Sequence, residues 1–167
     1  MTDIHTSTPA PPKFVSAEEA ETVEWTVERG RFLLRGDDTD GRLSLFEVTT
    51  PAGSGPPFHY HRHTDKVFYV LEGAYDIQVG DSLHRAGPGC VVYGPRGIGH
   101  GFRNVGDTEG RMLFVTTPGG AELMFEGLAE LLAAPGPTDR ARIAELVEAH
   151  DTVYTEQPPA TRIGGTR

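Results

Sequence analysis

Hydrophobic and polar residues alternate in short runs along the chain up to about residue 118, and turns rich in glycine or proline separate the runs. The clearest runs are Leu43–Thr49 and Lys66–Leu71, and the last one is Arg111–Thr116. A period of two predicts β-strands, and we expect about nine or ten of them. Short strands at regular spacing, without long helices between them, predict an all-β sandwich or barrel.

The pattern changes after Pro118, where apolar residues recur at helical spacing. Ala121–Ala133 and Arg140–His150 each carry an apolar stripe, and Thr138 or Asp139 can cap the second helix. We expect these helices to pack outside the β-domain or at a dimer contact. The chain then divides into a disordered N-terminal tail (1–12), a β-barrel domain (13–118), a helical extension (119–156) and a flexible tail (157–167).

Charge and cysteine content narrow the choice of partners and compartment. The chain has 167 residues and a formal net charge of −9, which argues against nucleic acid or an anionic membrane surface as a partner. The lone cysteine, Cys90, excludes an internal disulfide and fits a reducing compartment. No apolar run approaches the length of a membrane span, and the N-terminus lacks a signal-peptide pattern. We therefore expect a cytoplasmic protein.

Three of the seven histidines have spacings that favour a metal site. His59 and His61 are two residues apart in a predicted strand, so both side chains leave the same face, about 7 Å apart. His100 follows a turn rich in glycine and proline, and we expect it to fold back onto this pair. Neutral imidazole binds several divalent transition metals, so the ligand type does not select among Fe, Ni, Co, Cu, Zn and Mn.

The spacing of these histidines within glycine-bounded segments resembles the two motifs of the cupins. The first motif, G-x5-H-x-H-x3–4-E-x6-G, is matched by Gly53, His59, His61 and Gly73. The second, G-x5-P-x-G-x2-H-x3-N, is matched by Gly89, Pro95, Gly97, His100 and Asn104. The likeness covers about residues 20 to 118, and the whole chain resembles the bacterial single-domain cupins described as quercetin-dioxygenase-like.

This resemblance implies a fold and a function. The fold would be a small RmlC-like jelly-roll β-barrel with one or two C-terminal helices packed outside, commonly as a homodimer. His59, His61 and His100 would hold one divalent metal inside the barrel. The function would be that of a quercetinase-like dioxygenase acting on a small aromatic or polyketide-like molecule.

Lys66 departs from the family pattern, because it stands where the first motif has its carboxylate ligand. A protonated ammonium cannot coordinate a cation and repels it. One interpretation is a three-histidine centre with Lys66 turned away or deprotonated. A second is that Asp65 supplies the carboxylate, although strand alternation aims it outward. A third is a barrel without metal in which Lys66 is the catalytic group.

These interpretations leave three functions open. The first is the dioxygenase, and the second is a non-oxidative cyclase or isomerase in which Lys66 and a histidine move protons. The third is a non-catalytic cupin that binds a small ligand. Inward-facing alternation makes Phe68, Tyr75 and Phe102 candidates for substrate contact, with core packing as the alternative.

Overall fold

The computed structural model describes residues 10–16 and 18–163, and in these residues twelve strands form two sheets that face each other. The strands are β1 (Glu21–Trp25), β2 (Glu28–Leu34), β3 (Ser44–Thr50), β4 (His59–His61), β5 (Asp65–Glu72), β6 (Tyr75–Val79), β7 (Ser82–Ala86), β8 (Val91–Gly94), β9 (His100–Asn104), β10 (Gly110–Thr117), β11 (Thr152–Tyr154) and β12 (Thr161–Arg162). The α-helices are α1 (Ala121–Ala133) and α2 (Arg140–Ala149), and a short 3-10 helix spans Gly36–Thr39.

The strand order confirms the prediction of an all-β jelly roll with C-terminal helices. The first sheet has the order β1-β2-β3-β10-β5-β8, and the second has the order β11-β4-β9-β6-β7-β12. Neighbouring strands such as β3 and β10 are antiparallel although they are distant in the chain. The two faces that meet between the sheets form the interior of the barrel.

The interior follows from the alternation that the sequence shows. Phe46 on β3, Phe68 on β5 and Phe114 on β10 are fully or almost fully buried. Their rings meet edge to face, with the Phe114 centroid 5.5 Å from that of Phe46 and 5.2 Å from that of Phe68. Aromatic pairs in this geometry add about 0.5–1.5 kcal/mol each beyond the burial of their area.

Helix α1 is attached to the first sheet by an aromatic contact and a buried carboxylate. The ring of Phe125 lies 4.2 Å from that of Trp25, measured between centroids. Glu122, in the first turn of α1, accepts hydrogen bonds from the Gly36 N–H (2.7 Å) and the Ser44 hydroxyl (2.6 Å). These bonds satisfy a carboxylate that is 3 % exposed, and they fix the helix beside the open end of the barrel.

The two ends of the chain are described only in part. Of the predicted N-terminal tail, residues 1–9 lie outside the described residues, as do 164–167 of the predicted C-terminal tail. Within 157–167, β12 runs parallel to β7, with Thr161 opposite Ser82. Neither helix in the described part of the chain is long and apolar enough to cross a membrane.

Candidate functional site

The three predicted histidines meet inside the barrel. His59 and His61 lie on β4, and His59 is opposite His100 on the adjacent strand β9. The ring centroids are 4.7 Å apart for His59 and His100, 5.1 Å for His59 and His61, and 5.2 Å for His61 and His100. All three side chains are buried, and one ring nitrogen of each lies within 4.8 Å of the others.

Two glycines allow the close approach of the strands around His100. A Cβ atom on Gly94 would lie 3.3 Å from His100 Nδ1, and one on Gly99 would lie 2.4 Å from the Phe58 ring. The second distance is impossible without displacing a buried aromatic ring. Gly94 therefore leaves room for the His100 imidazole, and Gly99 leaves room for the Phe58 ring beside it.

Backbone carbonyls orient all three imidazoles in the same way. The Nδ1 atom of His59 is 2.8 Å from the Pro57 carbonyl oxygen, and that of His100 is 3.2 Å from the Ile98 carbonyl oxygen. His61 Nδ1 is 3.3 Å from the Asp151 carbonyl oxygen. An Nδ1–H that donates to a carbonyl leaves Nε2 as the lone-pair nitrogen. The buried Nε2 atoms of His61 and His100 have no hydrogen-bond partner among residues 10–16 and 18–163.

The imidazoles are neutral at pH 7. Burial and, to a smaller extent, the nearby Lys66 charge lower the pKa of His61 to about 4 and that of His100 to about 3. The pKa of His59 falls well below its usual value for the same two reasons, and the other two imidazoles add to the effect. Neutral imidazole is the form that can coordinate a cation or accept a proton.

Lys66 is buried inside the barrel, and its side chain is 5 % exposed. Its Nζ atom lies 4.4 Å from the ring centroid of Phe114 and 5.3 Å from that of Phe68. No ion pair of the described residues includes it. Burial lowers the pKa of Lys66 to about 8, and the charge of Glu28 opposes this effect. Contact with the two aromatic rings offsets only part of the energetic cost of burying the ammonium group.

Glu28 is a second ionisable group of the site, and the sequence analysis did not identify it. It begins β2, where Glu28, Gly30 and Phe32 are buried in alternation. Its carboxylate accepts hydrogen bonds from Trp25 Nε1–H and the Thr50 hydroxyl, both at 3.3 Å. Burial raises the pKa of Glu28. In the sequence, Glu28 could have been found only from its position on the same strand face as Phe32.

A cavity of about 610 Å³ connects these groups. His59, His61, Lys66 and Glu28 contribute polar groups to its wall, and most of the remaining wall is apolar. The apolar part comes from both the barrel and the C-terminal helices, and includes Trp25, Phe114, Met124, Phe125, Leu128 and Ile143. A cavity of this size accommodates a small aromatic molecule.

The structure separates the three aromatic residues that were candidates for substrate contact. Phe102 is part of the cavity wall. Phe68 and Tyr75 are not, because both rings are fully buried in the core, where each packs against Phe102. The structure thus places Phe68 and Tyr75 in the core, and substrate contact by either of them stays a prediction.

Asp65 cannot supply the missing carboxylate ligand. Its side chain accepts hydrogen bonds from the backbone N–H, Nε and Nη2 of Arg96, at 2.9, 3.1 and 2.7 Å. These bonds hold the pKa of Asp65 far below its usual range and fix the carboxylate on the outer side of the strand. The alternation that points Lys66 inward thus points its neighbour outward, as expected.

Strand β11 adds two site residues that the sequence analysis also missed. It pairs with β4, so that Thr152 is opposite His61 and Tyr154 is opposite His59. The Thr152 hydroxyl is 3.2 Å from His61 Nδ1, and the Tyr154 ring centroid is 6.3 Å from that of His59. No local pattern marks these residues, because they reach the site through pairing across about ninety positions of the chain.

Comparison with known proteins agrees with this geometry. Residues 46–116 match the model of the cupin domain (Cupin_2). Over 62 residues, or 36 % of this chain, the sequence is 37 % identical to the protein SchB of Streptomyces halstedii, covering 44 % of that protein. It is 39 % identical over 62 residues to the polyketide synthase CurC of Streptomyces cyaneus, covering 36 % of this chain and 39 % of CurC. Each match thus spans less than half of the relative's length.

A solved structure shares the fold. The polyketide cyclase RemF of Streptomyces resistomycificus superposes with a TM-score of 0.55 and 24 % sequence identity, over 64 % of this chain and 79 % of RemF. At this identity the likeness demonstrates a common fold.

Proposed function

We propose that this chain, whose residues 46–116 match the cupin domain, is an enzyme that binds a polyketide-like ketone or phenol inside the barrel and moves protons on it. Ring closure and isomerisation are reactions of this type. The similarity to proteins named polyketide synthase and polyketide cyclase supports the substrate class. The size of the cavity and its apolar, aromatic wall support it independently.

The observation that carries the proposal is the position of Lys66. A buried lysine amine lies in a largely apolar cavity, close to three neutral imidazoles and without a carboxylate partner in the ion pairs of the described residues. Burying such a group costs several kcal/mol unless something compensates it. Buried ionisable groups with such an energetic cost are found mainly at functional sites.

The chemistry follows from the two states of the amine. Its neutral form can accept a proton from a carbon next to a carbonyl, and the resulting ammonium then lies beside the enolate oxygen that has formed. Return of the proton to another atom of the same molecule completes an isomerisation. If the enolate carbon instead attacks a second carbonyl, a ring closes and the new alkoxide takes the proton.

The remaining residues would position the substrate and exclude water. Phe102, Phe114 and Trp25 offer flat apolar surfaces on which an aromatic ring can pack. The Nε2 atom of His61, in the cavity wall, can accept a hydrogen bond from an enol or phenol hydroxyl. A dry cavity strengthens each of these electrostatic interactions.

The donor set also fits a divalent transition metal. Three neutral imidazoles, each with Nδ1 facing a carbonyl or hydroxyl oxygen, have the orientation that metal-binding histidines adopt. His59, His61 and His100 would hold the ion, which would supply Lewis acidity toward a substrate oxygen. Lys66 takes the place of a fourth, anionic ligand, so the centre would rely on imidazole alone.

Deuterium exchange tests the proton-transfer function without requiring the natural substrate. We expect the wild-type protein to accelerate exchange of the methyl protons of 2-acetylnaphthalene in D2O, measured by NMR. Lys66→Met should abolish the acceleration, because methionine fills the space but cannot accept a proton. Lys13→Met removes the chain's other lysine and should leave the rate unchanged. Equal rates for wild type and Lys66→Met would refute the assigned role of Lys66.

A metal-dependent dioxygenase is the second candidate, and the orientation of the histidines favours it. This function requires that the purified protein contain a first-row transition metal and consume oxygen with phenolic substrates. An oxygen electrode, used before and after exhaustive chelation, distinguishes the two functions. Oxygen uptake that disappears with the metal would favour the dioxygenase over the cyclase or isomerase.

Substitution of Lys66 also tests the metal centre. Lys66→Met removes a repulsive charge, and Lys66→Glu adds a carboxylate where the cupin motif has one. We expect the affinity for Ni²⁺ or Zn²⁺ in calorimetric titrations to increase from wild type to Lys66→Met, and by about a further tenfold in Lys66→Glu. His100→Ala should abolish binding in each background. Equal affinities of wild type and both Lys66 variants would mean that the lysine does not oppose the metal.

A further inference from the structure

Glu28 is a buried carboxylate in the wall of the cavity that the proposed proton transfer does not use. Trp25 Nε1–H donates to one of its oxygens and the Thr50 hydroxyl donates to the other, each at the long distance of 3.3 Å. A carboxylate offers about four lone-pair positions, so these two bonds leave each oxygen able to accept another hydrogen bond. The two hydrogen bonds thus fix the Glu28 carboxylate in place and use about half of its acceptor positions.

Glu28 and Lys66 have opposite charges in one cavity but do not form an ion pair. Their charged atoms are more than 4.0 Å apart, although the Lys66 charge is close enough to affect the pKa of Glu28. The aromatic ring of Phe114 and the side chain of Val48 belong to the same cavity wall. The cavity wall therefore carries Lys66, His59 and His61 as basic groups and Glu28 as a separate acidic group that is not in an ion pair with Lys66.

We propose that Glu28 is the second anchor of the substrate, and that it accepts a hydrogen bond from a phenol or enol hydroxyl remote from the ketone at Lys66. This inference rests on the proposed function, which brings the ketone to Lys66. The substrate class becomes more specific as a result. It is an aromatic or enolised ketone whose hydroxyl and carbonyl groups lie at opposite ends of an apolar ring system.

Trp25 allows this inference to be tested by binding rather than by turnover. It is the chain's single tryptophan, lies in the cavity wall and is hydrogen-bonded to Glu28. An acetylnaphthalene bound beside it should quench its fluorescence. Three probes separate the possibilities: 6-acetyl-2-naphthol has a remote hydroxyl, 1-acetyl-2-naphthol has an adjacent one, and 2-acetylnaphthalene has none.

We expect the wild-type protein to bind 6-acetyl-2-naphthol about tenfold more tightly than either other probe, since a hydrogen bond to a charged group is worth about that factor. Glu28→Leu should remove this preference, so that the variant binds 6-acetyl-2-naphthol and 2-acetylnaphthalene with similar affinities. Glu28→Gln should give an intermediate preference, because its amide oxygen is a weaker acceptor. Calorimetric titration gives the same affinities independently of changes in Trp25 fluorescence.

Glu122→Gln is the matched control, since Glu122 is also a buried carboxylate but is not part of the cavity wall. Its preference for 6-acetyl-2-naphthol should equal that of the wild type. If Glu28→Leu does not fold, the reduced preference of Glu28→Gln decides the question. A wild-type preference retained in the Glu28 variants would overturn the inference and leave the proposed function intact. Failure of the wild type to bind any of the three ketones would overturn the proposed substrate class, and this inference with it.

Discussion

Lys66 determines the electrostatic character of the site. In its position a carboxylate would complete a metal centre, whereas the ammonium lowers the pKa of all three neighbouring imidazoles. The adjacent Asp65 cannot compensate the charge, because it is bound to Arg96 on the other side of the strand. In the proposed function, this one residue weakens metal binding and makes proton transfer possible.

The buried amine should make stability depend on pH. Burial lowers the pKa of Lys66 from 10.5 to about 8, so the folded protein disfavours the proton that the unfolded chain retains. The free-energy cost of burying the protonated amine is fully present below pH 8 and disappears as the pH rises from about 8 to 10.5. We therefore expect Lys66→Met to be more stable than wild type by up to about 3 kcal/mol at pH 7, and by much less at pH 10.

Chemical denaturation of chelator-treated protein at pH 7, 8.5 and 10 measures this difference. Lys13→Met provides the control, because Lys13 lies at the surface in an ion pair with Asp38. Its stability difference from wild type should change little over the same range. A Lys66→Met difference that is constant from pH 7 to pH 10 would show that the amine has an ordinary pKa.

At the scale of elements, strand β11 supports the histidine strand β4. Through this pairing, Thr152 and the Asp151 carbonyl both reach Nδ1 of His61. The Asp151 carboxylate also accepts hydrogen bonds from the backbone N–H groups of Arg62 and His63. The C-terminal segment therefore fixes both the orientation of His61 and the loop that follows it.

Thr152→Val tests this support with little change of shape. We expect it to weaken Ni²⁺ binding by about tenfold, because outer-shell partners of metal-binding histidines typically contribute that much or more. Thr116→Val is a suitable control, since Thr116 is a buried cavity residue whose hydroxyl has no hydrogen-bond partner within the described part of the chain. Unchanged affinity in Thr152→Val would assign the orientation of His61 to the Asp151 carbonyl alone.

At the scale of the whole molecule, the outer face of the first sheet has an apolar patch. Tyr69, Val91 and Tyr93 are 40, 62 and 56 % exposed, and the pairing of β5 with β8 places Tyr69 opposite Val91 and Val67 opposite Tyr93. Contiguous exposed apolar surface is typical of interfaces. The homodimer stays a prediction, and we propose this face as its contact.

Light scattering after size-exclusion chromatography tests the dimer. We expect the wild type to have twice the monomer mass and Val91→Glu to be monomeric, because an interface cannot bury an unpaired charge. Leu123→Glu, on the exposed side of α1, should remain dimeric. Loss of the dimer only in Leu123→Glu would move the contact to the helices, and a monomeric wild type would refute the prediction.

Local sequence patterns were enough to predict the strands, the two helices and the three histidines. Alternation directly records which side chains face inward, as at Phe46 and Phe114, and glycine-bounded spacing located His100. Such patterns act over a few residues, so they could not reveal that Glu28 and Lys66 belong to the same cavity. They also could not show that Thr152 supports His61, or that α1 and α2 complete the cavity wall. These features depend on which distant segments pack together, and that depends on the burial of the entire chain rather than on any one stretch of it.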